Sequence, residues 1–208
     1  MKGIFITFEG GEGSGKTTII KRLAQELLEK GYTPVCTREP GGSKIAEGIR
    51  SIILDKANTE MDYMTEALLY AASRAQHLSE VVVPALNSGK LVICDRYLDS
   101  SLAYQGHARA LGIDKVYDIN LYATGGLLPH LTIFVDIPPQ VGLDRIKSNN
   151  RDEDRLDKEK IDFHNLVHEG YLEVARRFPD RIKIVNGENS VDKVYSDVKA
   201  IVFDYLGL

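Results

Sequence analysis

The feature that most constrains the fold of this 208-residue chain is a glycine-rich octapeptide near its N-terminus. Residues 10–17 read Gly-Gly-Glu-Gly-Ser-Gly-Lys-Thr and match the pattern GxxxxGK[ST]. An apolar, β-prone run over residues 4–9 precedes them, and residues 16–30 carry apolar side chains at helical spacing. A strand, a glycine-rich turn and a helix in this order predict a phosphate-binding loop (P-loop) at the end of a parallel strand.

The residues of this loop suit a nucleoside triphosphate. Glycines let the backbone turn tightly, so that successive N–H groups point into one nest around the phosphates, and the following helix adds the positive end of its dipole. Lys16 offers a positive charge to the β- and γ-phosphates, and the Thr17 hydroxyl offers a ligand to Mg²⁺. The predicted ATP-binding residues are Gly10, Gly11, Glu12, Gly13, Ser14, Gly15, Lys16, Thr17 and Thr18.

Further along the chain, predicted strands alternate with predicted helices. Strand-like runs lie at residues 33–37, 91–94, 131–135 and 181–186. The alternation predicts an α/β fold of three layers, with a five-stranded parallel sheet between helices. No linker divides residues 1–208, so we expect one domain. The longest helix is predicted over residues 62–87, with an inner face formed by Leu68, Leu69, Ala72 and Leu78.

The composition argues against several classes of protein. The net charge is −4, from 26 Lys and Arg against 30 Asp and Glu, which does not fit a protein that binds nucleic acid through an overall basic surface. Because the sequence shows no signal peptide and no membrane-spanning run, we expect a cytoplasmic protein without nucleic-acid or membrane partners. Cys36 and Cys94 lack metal-ligand spacing and are expected to be buried, reduced thiols.

Two acidic residues compete for the second half of a metal site. Asp95 and Asp136 each end an apolar strand, which is the position of a Walker B carboxylate. Asp95 is preferred because Arg96 and further polar residues follow it, whereas Asp136 precedes Ile-Pro-Pro and suits a capping or structural role. The predicted metal ligands are therefore Thr17 and Asp95.

Three other segments carry polar groups that a generic nucleotide-binding fold does not need. Arg38 opens the turn Arg-Glu-Pro-Gly-Gly, and its planar guanidinium suits bidentate binding of a phosphate. Tyr70 and Arg74 are four residues apart on the long predicted helix and so share one face. At the ligand-binding edge of the sheet, residues 95–106 carry a dense polar series, namely Asp95, Arg96, Ser101, Tyr104 and Gln105.

Together these segments resemble the bacterial thymidylate kinases, a family of P-loop nucleoside-monophosphate kinases. The resemblance rests on residues 8–18, on residues 38–42, and on Asp-Arg-Tyr at 95–97 with Tyr-Gln-Gly at 104–106. The three segments lie in order at family-like spacing, and the resemblance extends over essentially the whole chain. It implies transfer of the γ-phosphoryl group of ATP to dTMP, with Mg²⁺ as cofactor, by a homodimer in which the long helices pack together.

The resemblance also implies roles for the acceptor residues. Tyr70 occupies the position where the family stacks a Phe on thymine, and Arg74 would read the thymine edge. Tyr104 would pack near the C2′ atom of the sugar, and Arg38 and Arg96 would hold the phosphate. The implied dTMP-binding residues are Glu12, Arg38, Arg50, Tyr70, Arg74, Arg96, Ser101, Tyr104 and Gln105. The Glu39–Pro40 peptide bond is expected to be cis.

A polar loop over residues 149–157 lies where these kinases carry a lid over ATP, within a lid segment at about 145–158. One branch of the family places a catalytic Arg in the P-loop. Position 13 is Gly here, so this chain resembles the branch in which the lid supplies the cation. Arg151 is the first candidate and Arg155 the alternative. With them, the predicted catalytic residues are Lys16, Arg38, Arg96, Arg151 and Arg155.

Other functions fit the sequence less well. A kinase for a deoxynucleoside, UMP or CMP would share the P-loop and differ in its acceptor. A GTPase-type switch needs a guanine-reading N/T-K-x-D tetrapeptide, which the chain lacks. A non-catalytic nucleotide-binding module is disfavoured because Lys16, Thr17 and Asp95 are all present.

Overall fold

The structure, a computed structural model, describes residues 3–148, 155–157 and 159–208. The strands are β1 Ile4–Glu9, β2 Val35–Arg38, β3 Leu91–Asp95, β4 Leu131–Asp136 and β5 Ile182–Asn186. They form one parallel sheet in the order β2-β3-β1-β4-β5. The predicted five-stranded parallel sheet is therefore confirmed, and the apolar runs located its strands.

Helices connect successive strands. They are α1 Lys16–Glu29, α2 Lys44–Leu54, α3 Tyr63–His77, α4 Val83–Asn87, α5 Leu98–Ser101, α6 Ile113–Thr124, α7 Pro139–Ser148, α8 Ile161–Arg177 and α9 Val191–Leu206. A π-helical turn, Leu78–Val82, joins α3 to α4, and a second π-helical segment, Leu102–Ala108, continues α5. The long helix predicted over residues 62–87 is thus continuous through α3, the first π-turn and α4.

The two faces of the sheet are covered by separate hydrophobic clusters. On one face Ile6 and Phe8 of β1 pack with apolar residues of α1 and α9, including Leu23 and Val198. On the other face Phe5 packs in a cluster that includes side chains of α3, α8 and the second π-helical segment. Because alternate residues of a strand point to opposite faces, β1 supplies both cores. The molecule is therefore the predicted three-layer α/β/α fold.

The strand register brings three polar residues to one edge of the sheet. Asp95 of β3 pairs in register with Phe8 of β1 on one side and with Arg38 of β2 on the other. The carboxyl ends of these strands therefore lie level, with Glu9 one residue beyond Phe8. Ligands of parallel α/β sheets bind beyond such ends, and the P-loop follows β1 at this edge.

Some predicted buried positions were wrong. Leu68 is 50% exposed and Ala72 is also exposed, while Leu78 is buried as predicted and Leu69 is partly buried. The inner face of α3 instead carries polar residues, among them Glu66, Ser73, Arg74 and His77. These polar side chains can be buried because they are paired inside the protein. The positions of Leu68 and Ala72 therefore did not indicate which face of α3 is buried.

The two cysteines differ in burial. Cys94 is fully buried in β3, whereas Cys36 of β2 is exposed, so the prediction of burial holds only for Cys94. Both thiols are free. The difference follows from strand position, since β3 lies inside the sheet and β2 lies at its edge.

Within the described ranges, every helix is too short or too polar to span a bilayer.

Candidate active site

The glycine-rich loop between β1 and α1 has backbone angles that other residues rarely adopt. Gly13 has φ 66° and Gly15, which precedes the first residue of α1, has φ 88°. A Cβ atom on Gly13 would lie 2.1 Å from the carbonyl oxygen of Gly142 in α7. A side chain at position 13 is therefore excluded by strain and by contact. The loop leads into the N-terminal end of α1, which is a favourable position for anions.

Lys16 is the only lysine of the described residues whose side chain lies inside this loop. Its ammonium donates to the carbonyl oxygens of Gly10 and Gly11 and to Ser14 Oγ, each at 3.0 Å. Burial, together with repulsion from Arg96, lowers the pKa of Lys16 to about 8. The loop thus holds a positive charge at the centre of the phosphate cradle.

The two predicted metal ligands lie together at the rim of the loop. Thr17 Oγ1 donates to Asp95 Oδ2 at 2.8 Å. The competing carboxylate, Asp136, instead accepts from His168 Nε2 at 2.7 Å. A hydroxyl and a carboxylate at one point offer the oxygen ligands that Mg²⁺ prefers. The structure therefore favours Asp95 over Asp136 as the partner of Thr17.

One cleft of about 870 Å³ contains most of the predicted site residues. It is lined on one side by the loop and the start of α1, and on the other by residues from α2, α3, β3 and the segment after β3. The predicted residues that line it are Glu12, Gly13, Ser14, Gly15, Lys16, Thr17, Thr18, Arg38, Arg50, Tyr70, Arg74, Asp95, Arg96, Ser101, Tyr104 and Gln105. Gly10 and Gly11 contribute through their carbonyl bonds to Lys16.

Arg96 links the two sides of the cleft. Its guanidinium donates to Glu12 Oε1 at 2.6 Å, to Gly10 O at 2.9 Å and to Tyr171 Oη at 2.9 Å. Burial opposes the charge, but Glu12 and other nearby groups raise the pKa of Arg96 well above its usual value. Arg96 also has φ 71°, a conformation uncommon for a residue with a side chain. A fixed cation therefore stands beside the P-loop.

Glu9, at the end of β1, holds the backbone that carries Arg96, and it was not among the predicted site residues. Its carboxylate accepts from the Tyr97 N–H at 2.7 Å, from Ser100 Oγ at 2.5 Å and from Tyr171 Oη at 3.1 Å. Burial, followed by repulsion from Asp99, raises the pKa of Glu9 to about 7. The sequence feature that could have indicated a role for Glu9 is its position directly before the glycine-rich loop.

Arg38 lies on the opposite wall and is less constrained. Its guanidinium binds both carboxylate oxygens of Glu47 in α2, at 2.7 and 3.2 Å, and its side chain is 49% exposed. Arg50 donates to the carbonyl oxygen of Pro40 at 2.9 Å. The Glu39–Pro40 bond is cis, as expected from the resemblance. The sequence did not predict the pair of Arg38 with Glu47, because the two residues are nine positions apart and a turn lies between them.

Arg74 is fully buried at the inner end of the cleft. It donates to Glu39 Oε2 at 2.7 Å, to Ser101 Oγ at 3.1 Å and to the Tyr97 carbonyl at 3.0 Å, and it also bonds Asn120 Oδ1. These bonds engage four of the five guanidinium N–H groups.

Glu39 in turn accepts from His77 at 2.9 Å, a further contact that sequence patterns did not reveal. His77 also bonds Thr37 through its other ring nitrogen at 2.7 Å. Arg74, which the resemblance assigns to the thymine edge, is therefore held by a buried network that includes residues after β2, of α5 and of α6.

The remaining acceptor residues line the cleft around Arg74. Tyr70 is 9% exposed, and Ser101 and Gln105 are almost fully buried. Tyr104 donates to Glu12 Oε1 at 3.0 Å. Burial raises the pKa of the Tyr104 phenol well above its ordinary value, so the hydroxyl is neutral and can donate.

The structure brings Arg145, but not Arg155, to the cleft. Arg145 of α7 lines it and donates to the Gly187 carbonyl at 3.2 Å. Arg155 Nε donates to the Ile53 carbonyl at 2.8 Å, and its Nη2 binds Glu66 Oε2 at 2.5 Å. Arg151, the first candidate for the lid cation, lies outside the described residues.

Comparisons with known proteins identify the family of the chain. The thymidylate kinase family model matches residues 8–198. The chain is 55% identical over 207 residues to a thymidylate kinase of Oceanobacillus iheyensis, covering 99% of this chain and 92% of that protein. It is also 55% identical over 202 residues to one of Clostridium novyi, covering 97% and 98%.

A solved structure is similar over nearly the same extent. The crystal structure of thymidylate kinase from Ehrlichia chaffeensis aligns with a TM-score of 0.78 at 28% identity, over 97% of this chain and 99% of that one. The two proteins therefore share one fold over nearly their whole length. The chain belongs to the thymidylate kinase family.

Proposed function

We propose that the chain transfers the γ-phosphoryl group of ATP to dTMP, giving dTDP and ADP. The observation that carries this proposal is that one cleft is lined both by the P-loop and by a second set of arginines. A site for a single nucleotide needs only the first set. Two sets of cations facing one cavity suit two anionic substrates whose phosphates must approach each other.

The donor side binds ATP through the P-loop. Backbone N–H groups of the loop and the N-terminus of α1 surround the phosphates, and Lys16 neutralises the β- and γ-oxygens. Thr17 and Asp95 are the residues that would hold Mg²⁺, since their oxygens already meet at 2.8 Å. The bound ion would supply positive charge to the phosphate oxygens of ATP.

The acceptor side binds dTMP through side chains from several elements. Arg96 and Arg38 hold the dTMP phosphate, with Arg50 beside them. Tyr70 covers the base, while Arg74, Ser101 and Gln105 contact its edge. Tyr104 and Glu12 lie at the sugar, joined by the 3.0 Å hydrogen bond between them. The aromatic ring and the guanidinium groups are the side chains best suited to a base and to phosphate oxygens.

The chemistry of transfer is mainly electrostatic. The ionised phosphate of dTMP is already a nucleophile, so no general base is needed. Arg38 and Arg96 reduce its repulsion from the γ-phosphate, and Lys16 stabilises charge on the transferred group. Arg96 contacts both Glu12 and Gly10 of the loop, which fixes the acceptor cation relative to the donor phosphates. In-line approach of the two phosphates follows from this fixed geometry.

The lid supplies the remaining cation. Gly13 has no room for a side chain beside Gly142, so position 13 of the P-loop does not carry a catalytic Arg in this protein. Arg151 takes that role, and Arg155 remains the alternative candidate. The contacts of Arg155 with Ile53 and Glu66 suit an anchor at the C-terminal end of the lid.

The chain acts as a homodimer that packs through α3. Tyr63, Met64 and Leu68 of α3 are 48%, 38% and 50% exposed, and Ile45 and Ile52 of α2 are 55% and 49% exposed. Met64, Leu68 and Ala72 follow each other at intervals of four residues and form one outer stripe. Replacing Leu68 by Glu should convert the dimer to monomers in sedimentation velocity, whereas an unchanged sedimentation coefficient would contradict this interface.

A panel of acceptors tests the proposed activity. With ATP and Mg²⁺, dTMP should give dTDP and ADP at a higher kcat/KM than dCMP, UMP or thymidine. ADP release is followed by a coupled assay, and the product is identified by anion-exchange chromatography. Failure to phosphorylate dTMP, with rapid turnover of another monophosphate, would reject the proposal.

A further inference from the structure

Glu66 is a fully buried carboxylate on the inner face of α3, behind the cleft. Its Oε1 accepts from Gln105 Nε2 at 2.9 Å, and its Oε2 accepts from Arg155 at 2.5 Å. Arg109 adds longer contacts to both oxygens at 3.4 and 3.5 Å and also binds Glu159 at 2.6 Å. Two carboxylates therefore face two guanidiniums, which balances the charge of this buried cluster.

The contact with Glu66 determines which way the Gln105 amide faces. A carboxylate that accepts from two guanidiniums has no proton to donate, so the amide atom facing it must be the NH₂ group. The Gln105 carbonyl oxygen then occupies the other position of the amide. Gln105 lines the cleft, and the carbonyl oxygen is the polar atom of its amide that Glu66 does not bind. Gln105 thus presents a hydrogen-bond acceptor.

Arg74 presents the opposite character at the same end of the cleft. Its guanidinium can only donate, and it is linked to the Gln105 segment through Ser101 Oγ at 3.1 Å, one helical turn before Gln105. A donor next to an acceptor matches the O4 carbonyl and N3–H of thymine. Cytosine has an amino group and an unprotonated N3 in the same places, so both contacts would be mismatched.

Resting on the proposed transfer to dTMP, we propose that Glu66 is a positioning residue for base selectivity. It holds the amide of Gln105 with the carbonyl oxygen toward the base, and it thereby favours thymine over cytosine. Glu66 acts through Gln105 and does not itself line the cleft. The ion pairs with Arg109 and Arg155 hold the carboxylate in place.

The variant Glu66→Gln tests this role. A Gln side chain at position 66 both donates and accepts, so the Gln105 amide is free to rotate and to present its NH₂ group to the base. We expect the ratio of kcat/KM for dTMP to that for dCMP to fall about tenfold or more. Most of the loss should appear as a higher KM for dTMP, with a smaller change in kcat.

Two further variants separate this effect from general damage. Glu159→Gln weakens the same ion-pair cluster at Arg109 without touching Gln105, and its dTMP to dCMP ratio should stay within about twofold of the wild type. Glu66→Asp keeps an accepting carboxylate and should retain most of the selectivity. If Glu66→Gln does not fold, as judged by circular dichroism, Glu66→Asp decides the question alone, because loss of its selectivity would refute the proposal.

The outcomes are distinguishable. Equal losses for dTMP and dCMP in Glu66→Gln, or the same change of ratio in Glu159→Gln, would mean that Glu66 only stabilises the fold. Wild-type protein that fails to phosphorylate dTMP would instead reject the proposed function. A selective loss in Glu66→Gln alone is the result expected.

Discussion

The two sides of the cleft are built in different ways. On the donor side one continuous segment supplies the backbone groups and Lys16, and Asp95 of β3 joins it at Thr17. The acceptor side gathers side chains from β2, α3, β3 and the segment after it, and each is held by a partner from another element. One side is specified by local backbone geometry, whereas the other exists only after the sheet and α3 have packed.

This difference relates to what each side must recognise. Triphosphate oxygens are similar in every nucleotide, so a nest of N–H groups is sufficient. A particular base and sugar require fixed donors and acceptors, which the protein obtains by burying charged side chains in pairs. Such pairs are sensitive to loss of one partner, because the other charge is left buried. Losing a buried partner on the acceptor side should therefore lower stability as well as activity, whereas a substitution on the donor side should lower mainly activity.

The largest effect is expected on the donor side. Replacing Lys16 by Met should lower kcat by about 10³-fold or more, because charge on the transferred phosphoryl group loses its main protein cation. The melting temperature should change little, since the backbone of the loop is held by its own conformation. Lys21→Met, at an exposed position of α1, is the matched control. A Lys16→Met enzyme that keeps a tenth of the wild-type kcat would contradict this distinction between the two sides of the cleft.

Replacing Arg96, on the acceptor side, should lower stability as well as activity. Replacing it by Met should lower kcat/KM for dTMP by about 10²- to 10³-fold, leave the KM for ATP within about threefold, and also lower the melting temperature. The stability loss arises because Glu12 stays partly buried without its 2.6 Å partner.

Arg38 provides the comparison for Arg96, because its pair with Glu47 is about half exposed. Arg38→Met should reduce kcat/KM for dTMP by about tenfold without a comparable loss of stability. Equal thermal destabilisation of both variants would contradict the contrast between a buried and an exposed arginine.

The lid arginines should separate in the same manner, one affecting activity and the other affecting stability. Arg151→Ala should reduce kcat by about 10²-fold while unfolding as the wild type does. Arg155→Ala should change kcat by less than about fivefold and reduce the free energy of unfolding by about 1–3 kcal/mol, because Glu66 loses one buried partner. Rapid-quench kinetics and urea unfolding measure both quantities. A large loss of kcat in Arg155→Ala, with little change of kcat in Arg151→Ala, would make Arg155 the lid cation.

A further prediction concerns pH and Glu9. Its pKa rises from 4.5 in the unfolded chain to about 7 in the folded protein, so the folded state holds this proton more tightly. The stabilisation is full below pH 4.5 and is lost as the pH rises through about 7. Glu9→Gln, which keeps the shape without the charge, should therefore gain stability relative to the wild type between pH 5 and pH 8, by up to about 3 kcal/mol.

Urea unfolding at both pH values measures this gain. Glu29→Gln, an exposed carboxylate on α1, serves as the control and should show no such trend. A stability difference between Glu9→Gln and the wild type that is equal at pH 5 and pH 8 would contradict the assignment.

The sequence predicted the fold and the position of the glycine-rich loop, for a physical reason. Buried parallel strands are short apolar runs, and a P-loop depends on neighbouring residues only, so both leave local patterns. It also located Asp95, because a polar residue at the end of an apolar run is a local signal. Resemblance supplied the acceptor arginines, and the structure places them around one cleft.

Partners far apart in the chain left no local pattern. Glu39 and Arg74 are 35 residues apart, and Glu66 and Arg155 are 89 apart. The same burial of polar groups explains the error on α3, where Leu68 was expected inside but is 50% exposed, while Glu66 is fully buried. Periodicity assumes that apolar residues face the core, and that assumption fails where a helix carries a binding site.

A co-crystal structure with dTMP, a non-hydrolysable ATP analogue and Mg²⁺ tests the central claim most directly, namely that two sets of cations bring two phosphates together. The account predicts the dTMP phosphate within hydrogen-bond distance of Arg96 and Arg38, and the γ-phosphate analogue against Lys16. A dTMP phosphate bound away from both arginines would contradict it.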